Sequence, residues 1–293
     1  MKELVVISGK GGTGKTSLMA AFAALAGNAV FCDADVDAPD LHLILAPVPR
    51  KKEPFESGHT AFIRAGDCTS CGVCRDLCRW EAISEDFVVD PLDCEGCGVC
   101  VWFCPEKAID FNSNVCGEWY LSDCRFGPMV HARLAPAEEN SGKLVALVRQ
   151  EARKIAEQEG RSMILTDGPP GVGCPVIASL GGASAALIVT EPTVSGVHDL
   201  ARVSQLADFF RVPVMVCVNK ADLNPETTAV IRDKTEQEGH AFLGEIPFNP
   251  GFTKAMIQTR SIVEYDPRGA AADCVRELWD KVTAELERLD PAS

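Results

Sequence analysis

Residues 5–17 read VVISGKGGTGKTS. A short apolar run enters a glycine-rich loop and leaves into residues 15–26, rich in Ala, Leu and Met, which spells strand, loop and buried helix. Within it GKGGTGKT, residues 9–16, matches G-x-x-x-x-G-K-[ST] in the strand-to-helix context that pattern requires. Gly9, Gly11, Gly12, Thr13 and Gly14 let backbone N–H groups turn inward around phosphate oxygens, with Ser17 completing the turn. Lys15 can reach the β and γ oxygens, Thr16 supplies a hydroxyl for Mg²⁺, and the helix start adds its positive end.

Working outward, strands are expected at 3–8, 29–33, 162–167, 183–190, 213–219 and 241–246, and helices at 143–159, 198–210, 225–238 and 273–288. Apolar strands alternating with helices imply a mainly parallel sheet covered on both faces. The expected fold class is therefore an α/β P-loop NTPase. APVPRKKEPFESGH (46–59) interrupts the pattern with three prolines and a charge cluster, which reads as a boundary. The chain has 293 residues, 46% hydrophobic and 24% charged, enough for a large core and against disorder. A net charge of −14 disfavours nucleic acid and polybasic membrane binding. With no long apolar run and no leader pattern at the start, a cytoplasmic location is expected.

Fourteen cysteines in such a chain do not read as a disulfide framework. Eight fall in two runs, CTSCGVCRDLC from Cys68 and CEGCGVCVWFC from Cys94, each spaced C-x₂-C-x₂-C-x₃-C. In that bacterial ferredoxin spacing three thiolates bind one cluster and the fourth closes the other. Cys68, Cys71, Cys74 and Cys104 would hold one [4Fe–4S] cluster; Cys94, Cys97, Cys100 and Cys78 would hold the second. Pro105 follows Cys104 as the pattern expects, whereas Arg79 stands where the first run should have proline. Zinc is the alternative for C-x₂-C pairs, but two triplets with two exchanged singles fit ferredoxin better. The expected organisation is an ATPase domain in two parts, 1–55 and 114–293, around an inserted small α+β bacterial-ferredoxin-like domain at 56–113. Between residues 61 and 112 ten acidic and four basic side chains make a surface able to steer a basic redox partner.

Lys10 turns the loop into K-G-G-x-G-K-T, which resembles the deviant Walker A motif of the MinD-type ATPases, a superfamily that includes partitioning ATPases, Mrp-type cluster carriers and the nitrogenase iron protein. The resemblance covers residues 1–45 and about 116–265, and CRFGPMVHARLAPAEENSGKLV (124–145) and GPPGVGCPVIAS (168–179) are similar to that family as well. It implies ATP as the nucleotide, with Lys10 reaching the nucleotide of a second subunit, in a homodimer or a dimer with a related ATPase. It further implies that Asp35, in CDADVDAPD, orients the attacking water. Asp167, in LTDGPPG, would bind Mg²⁺ through water, and Asn219, in NKAD, would contact the base. Asp37 and Asp40 are either part of that site or solvated loop acids. Together the motifs resemble MinD-superfamily ATPases containing an inserted ferredoxin domain.

The leading reading is an ATP-hydrolysing iron–sulfur protein coupling nucleotide state to electron transfer, with a redox or cofactor-accepting protein as partner. The alternative is an ATPase of iron–sulfur or metallocofactor assembly; a scaffold using ATP only to dimerise would leave the clusters idle. Two spare cysteines, Cys124 and Cys174, either are simple thiols or join across two chains in a third, bridging cluster.

Overall fold

The computed structural model describes residues 1–135 and 141–289. Five residues of the 124–145 segment, 136–140, lie outside that description, as do 290–293. The strands are β1 (Lys2–Ser8), β2 (Ala29–Asp33), β3 (Val48–Ile63), β4 (Ile109–Cys124), β5 (Gly127–Leu134), β6 (Met163–Pro170), β7 (Ala185–Thr190), β8 (Val214–Asn219) and β9 (Ala241–Ile246). The α-helices are α1 (Lys15–Leu25), α2 (Leu41–Leu45), α3 (Val73–Leu77), α4 (Val99–Phe103), α5 (Ser141–Gln158), α6 (Cys174–Leu180), α7 (Val194–Phe209), α8 (Pro225–Gln237), α9 (Gly251–Ile257), α10 (Ile262–Tyr265) and α11 (Ala270–Arg288). None of these helices is long and apolar enough to cross a membrane. Two compact units result: Met1–Glu53 with Trp119–Leu134 and the chain from Ser141 onward, and a smaller unit built on Pro54–Glu118.

In the first unit the strand order is β3-β4-β5-β2-β6-β1-β7-β8-β9, with β3 and β4 contributing residues 48–53 and 119–124. β1 lies between β6 and β7, and β2, β5, β6, β7, β8 and β9 all pair in parallel along this order. A strand buried on both faces reads as an unbroken apolar run, and β1 shows why. Leu4 and Val6 pack into one core with α1 and α11, while Val5 and Ile7 pack into the other with α6, α7 and α8. The alanines of α1 allow the helix to be buried almost all round, from Leu18 to Ala23. In an open parallel sheet the crevice at the carboxyl ends of the strands is where ligands bind. Ser8, Asp33, Asp167 and Asn219 all lie at those ends, with Asp33 and Asp167 directly paired in register.

Two strands depart from the sequence pattern. Where the prolines of 46–59 suggest a break, the structure runs the sixteen-residue β3 through Pro49 and Pro54. β3 ends the strand order, and an edge strand tolerates a missing N–H on its open side. Its first residues, Val48–Lys52, are exposed, which removes the apolar alternation that would have marked it. β4 and β5 likewise carry polar residues on one face and were not legible as strands.

The smaller unit has its own core of Ala61, Ile63, Cys74, Ile83 and Ile109, with Phe87, Val89, Val101 and Phe111 packed against it. Its sequence duplication is also a structural one. α3 and α4 each start after a left-handed glycine, Gly72 at φ +85° and Gly98 at φ +73°, and end on an extended cysteine, Cys78 or Cys104. The turns that follow close alike, Glu81 N donating to Cys78 O at 3.3 Å and Lys107 N to Cys104 O at 3.2 Å. Arg79 in place of proline therefore leaves the turn intact.

Beneath the sheet Glu3 anchors a buried ionic network. Its Oε1 accepts from Arg149 Nε at 2.6 Å and Thr166 Oγ1 at 3.1 Å, and its Oε2 from Arg153 Nη2 at 2.7 Å. Removing one partner of a buried pair strands the other charge. Glu3→Ala should therefore cost about 3 kcal/mol or more of unfolding free energy, read by urea titration.

Candidate functional site

A cleft of about 530 Å³ opens over the carboxyl ends of β1, β2, β6 and β8. Its floor is the phosphate loop, Gly11 to Ser17, and its walls include Asp35, Asp37, Asp40, Asn219, Lys220, Phe248, Phe252 and Met256. Lys15 is the first residue of α1 and is 6% exposed, so its ammonium sits at the bottom of the cleft. Nζ lies 2.6 Å from Asp167 Oδ1 and 3.6 Å from Asp35 Oδ2, and 3.4 Å from Thr16 Oγ1. Burial alone would lower its pKa, but the charges of Asp167 and then Asp35 outweigh that and hold it above the ordinary lysine value.

The carboxylates divide the work. Asp33 is fully buried and accepts from the backbone N–H groups of Asp35 (3.2 Å) and Leu41 (3.2 Å), so it braces the loop that carries Asp35. Burial, with the charge of Asp167 next, pushes its pKa well up. Asp35 stays partly open to the cleft, and burial raises it to about 6 against the pull of Lys15. Asp167 is fully buried; one oxygen takes Lys15, and the other, Oδ2, has no hydrogen-bond partner among the described residues. That buried carboxylate oxygen and the Thr16 hydroxyl, which with Asp167 shares Lys15 Nζ as a neighbour, are the kind of oxygen ligands that suit a hard cation such as Mg²⁺. Thr13 Oγ1 is similarly buried and without a partner among the described residues.

Two further residues of the motifs have partners of their own in this conformation. Asn219 reaches the cleft wall, but its Nδ2 donates to Thr13 O at 2.8 Å and its Oδ1 accepts from Lys220 N at 3.0 Å. These two bonds use one N–H and one lone pair of the amide, which braces the loop and leaves a second N–H and a second lone pair on the cleft side chain. Gly14, at φ +89°, must be glycine for the same reason: a Cβ there would sit 2.3 Å from Asn219 Nδ2. Lys10 does not line the cleft; its ammonium lies 3.3 Å from Glu191 Oε2, Thr193 Oγ1 and Ser195 Oγ. Lys220 was missed as a site residue although NKAD contains it, and Phe248, Phe252 and Met256 belong to a segment with no motif at all.

In the smaller unit the eight clustered cysteines separate into two apolar-walled cavities. Cys68, Cys71, Cys74 and Cys104 line one, with Ile63, Phe87 and Ile109. Cys78, Cys94, Cys97 and Cys100 line the other, with Trp80, Ile83 and Phe111. Backbone N–H groups point at sulfur in the first, Ser70 N to Cys68 Sγ and Ala108 N to Cys104 Sγ, both at 3.4 Å. Among the described residues no three His, Cys, Asp or Glu side chains gather tightly enough to hold a single metal ion.

Cys124 and Cys174 do not come together. Cys124 precedes β5 at the amino end of the parallel strands, where Gly127 lies beside Ala29, while Cys174 follows β6 at the carboxyl end. Ala29 to Asp33 alone spans roughly 13 Å of strand at 3.3 Å per residue. Two-fold pairing cannot bring both ends of the sheet to one bridging cluster, so that expectation is withdrawn.

The model of the CobQ/CobB/MinD/ParA nucleotide binding domain matches residues 4–262. An uncharacterised protein of Methanocaldococcus jannaschii is 31% identical over 289 residues, 96% of each chain, and a second from that organism is 26% identical over 75% of this chain and 81% of its own. Among solved structures, the cell division ATPase MinD of Pyrococcus furiosus superposes with a TM-score of 0.61 at 19% identity, covering 97% of this chain and 99% of that one. The septum site-determining protein MinD of Pyrococcus horikoshii, complexed with Mg-ADP, gives 0.61 at 17% identity over 99% and 98%. These likenesses bear on the nucleotide-binding fold; the cysteine cavities rest on this chain's own geometry.

The acid cluster has a measurable consequence for the protein without nucleotide. Asp35 titrates at about 6 when folded against 3.8 when unfolded, so the native state binds the extra proton between those values. Its ionisation therefore costs nothing below about pH 4 and costs stability increasingly as pH rises to about 6. Asp35→Asn should match wild type at pH 4 and exceed it by on the order of 2 kcal/mol at pH 7, read by urea unfolding at both.

Proposed function

The chain belongs to the CobQ/CobB/MinD/ParA nucleotide-binding family, and from that premise we propose that it is an ATP-hydrolysing iron–sulfur protein in which nucleotide state governs electron transfer. The observation that carries the iron–sulfur half is the sorting of eight cysteines into two separate cavities, four to each, with the fourth ligand exchanged between the runs. That exchange is the ferredoxin arrangement, and it supports two [4Fe–4S] clusters: Cys68, Cys71, Cys74 and Cys104 for one, Cys94, Cys97, Cys100 and Cys78 for the other. Such clusters supply one-electron chemistry when bound; the chain contributes apolar walls that limit water and, in the first cavity, N–H groups directed at thiolate sulfur.

In the other half, the loop from Gly9 to Ser17 cradles the phosphates and Lys15 transfers its ammonium from Asp167 to the β and γ oxygens. Thr16, and Asp167 through water, would hold Mg²⁺, which would supply positive charge at the phosphates. Asp35, accessible in the cleft and ionised above about pH 6, orients the attacking water. Lys10 completes the site of a second copy or of a related ATPase, which makes turnover depend on association; a redox or cofactor-accepting protein takes the electrons. The small unit at 56–113 is then an insertion between the two parts of the ATPase domain, 1–55 and 114–293.

The test is anaerobic purification and reconstitution, with iron and sulfide analysis, EPR and ATP turnover on one preparation. Wild type should hold iron and sulfide for two clusters, and Cys71→Ser and Cys97→Ser should each lose one signal and keep the other. Lys15→Ala should lower ATP turnover by roughly 100-fold or more while both EPR signals remain. MgATP should change the reoxidation rate of wild type and leave Lys15→Ala unaffected. Stoichiometric zinc, or no iron, would remove the iron–sulfur half. Clusters that ignore bound nucleotide, yet pass to an apo-acceptor, would move the assignment to cofactor assembly.

A further inference from the structure

Glu191 follows β7 at the carboxyl end of the sheet and stands between two lysines of the phosphate-loop region. Its Oε2 lies 3.3 Å from Lys10 Nζ, and its Oε1 pairs closely with Lys220 Nζ. Its side chain is 14% exposed, against 33% for Lys10 and 30% for Lys220, so the carboxylate is the enclosed member of the group. The backbone holds it in place: Glu191 O accepts from Thr193 N at 2.8 Å, and Thr193 caps α7 through Gly196 N at 3.0 Å.

An ammonium has three N–H donors and no acceptor. Lys10 has three acceptors around it, Glu191 Oε2, Thr193 Oγ1 and Ser195 Oγ, each at 3.3 Å. Lys220 uses Glu191 and, at 3.2 Å, the carbonyl of Gly12 in the phosphate loop itself. Neither lysine can therefore approach a phosphate without giving up a charged partner. Lys220 already lines the cleft and touches the backbone of the phosphate loop at Gly12.

We infer that Glu191 is a phosphate-competing counter-ion: it holds Lys10 and Lys220 in the empty protein, and nucleotide draws them off it, Lys220 in this chain's own cleft and Lys10 toward the cleft of an associated copy. This rests on the reading of the cleft as a nucleotide site. Glu191 is a positioning residue in this scheme, acting on phosphate only through the two lysines. It sets the threshold at which the loop accepts its ligand, since one carboxylate neutralises one of the two positive charges beside the floor of the cleft. Removing that charge leaves the lysines free and the site more positive, so phosphate binding should tighten and become more salt-dependent.

The experiment is a titration of the holoprotein with a fluorescent N-methylanthraniloyl ATP and Mg²⁺ at low and high salt, for wild type, Glu191→Gln, Glu191→Asp and Ser195→Ala. Glu191→Gln should bind roughly three- to tenfold more tightly at low salt, with the gain shrinking at high salt. Glu191→Asp, which keeps the charge, should stay near wild type. Ser195→Ala, which removes one Lys10 acceptor and leaves Glu191 in place, should shift affinity the same way by a smaller factor. A carboxylate with a purely structural part would weaken binding when replaced. Binding by Glu191→Gln that equals or falls below wild type therefore overturns the inference, and if that variant is unstable, unchanged affinity in Ser195→Ala does so. A wild type that binds no nucleotide sinks the reading of the cleft together with this inference; a wild type that binds normally beside unresponsive variants sinks this inference alone.

Discussion

One ammonium buried at the first turn of α1 constrains the nucleotide site more than any other group. Lys15 is nearly inaccessible, and a charge in that position persists only when paired. Asp167 and Asp35 supply the pairing, and they can do so because β2, β1 and β6 are adjacent and parallel, ending at one level. The strand order therefore answers an electrostatic demand made by the loop. Asp33, equally buried, is held by two backbone N–H groups and in turn holds the segment bearing Asp35. The result is a site with three carboxylates around one lysine, in which burial and mutual repulsion raise the pKa values of Asp33 and Asp35.

The same economy recurs around Glu191. In the protein without ligand each lysine near the loop rests on a carboxylate: Lys15 on Asp167, Lys10 and Lys220 on Glu191. Carboxylates occupy the lysines that phosphate would otherwise claim, which keeps the cations ordered at the cost of competing with the ligand. In the smaller unit the organising constraint is different. Two copies of a glycine-started turn of helix, each ending on an extended cysteine, aim their sulfurs into two cavities whose remaining walls are aliphatic and aromatic.

The central sheet was legible because its strands are buried on both faces, and burial of that kind writes continuous apolar runs such as ELVVIS and ASAALIVT. β3 was not, since an edge strand with five exposed residues at its start leaves no periodicity to find, and β4 and β5 were not, since polar residues interrupt their apolar runs. Within the site, Lys15 and Thr16 belong to a contiguous motif whose spacing carries their chemistry, and Asp35 and Asp167 were singled out by resemblance to a family. Phe248, Phe252 and Met256 line the same cleft from a segment remote in sequence, and only the return of the chain after β9 puts them there. Glu191 is likewise an ordinary acid after a strand until Lys10 and Lys220 are seen on either side of its carboxylate.

What the sequence by itself determined is the chemistry carried by local spacing: the phosphate loop, the acids at strand ends, and the two cysteine runs. Local patterns suffice there because backbone turns of a few residues set the geometry of their own side chains. Tertiary structure alone decided which groups pair across the chain. It assigned Asn219 to bracing Thr13, Lys10 to Glu191, and placed Cys124 and Cys174 at opposite ends of the sheet. The reason is physical: a side chain's partner is fixed by strand order and register, which join residues 180 or more positions apart and leave no trace in the spacing of either.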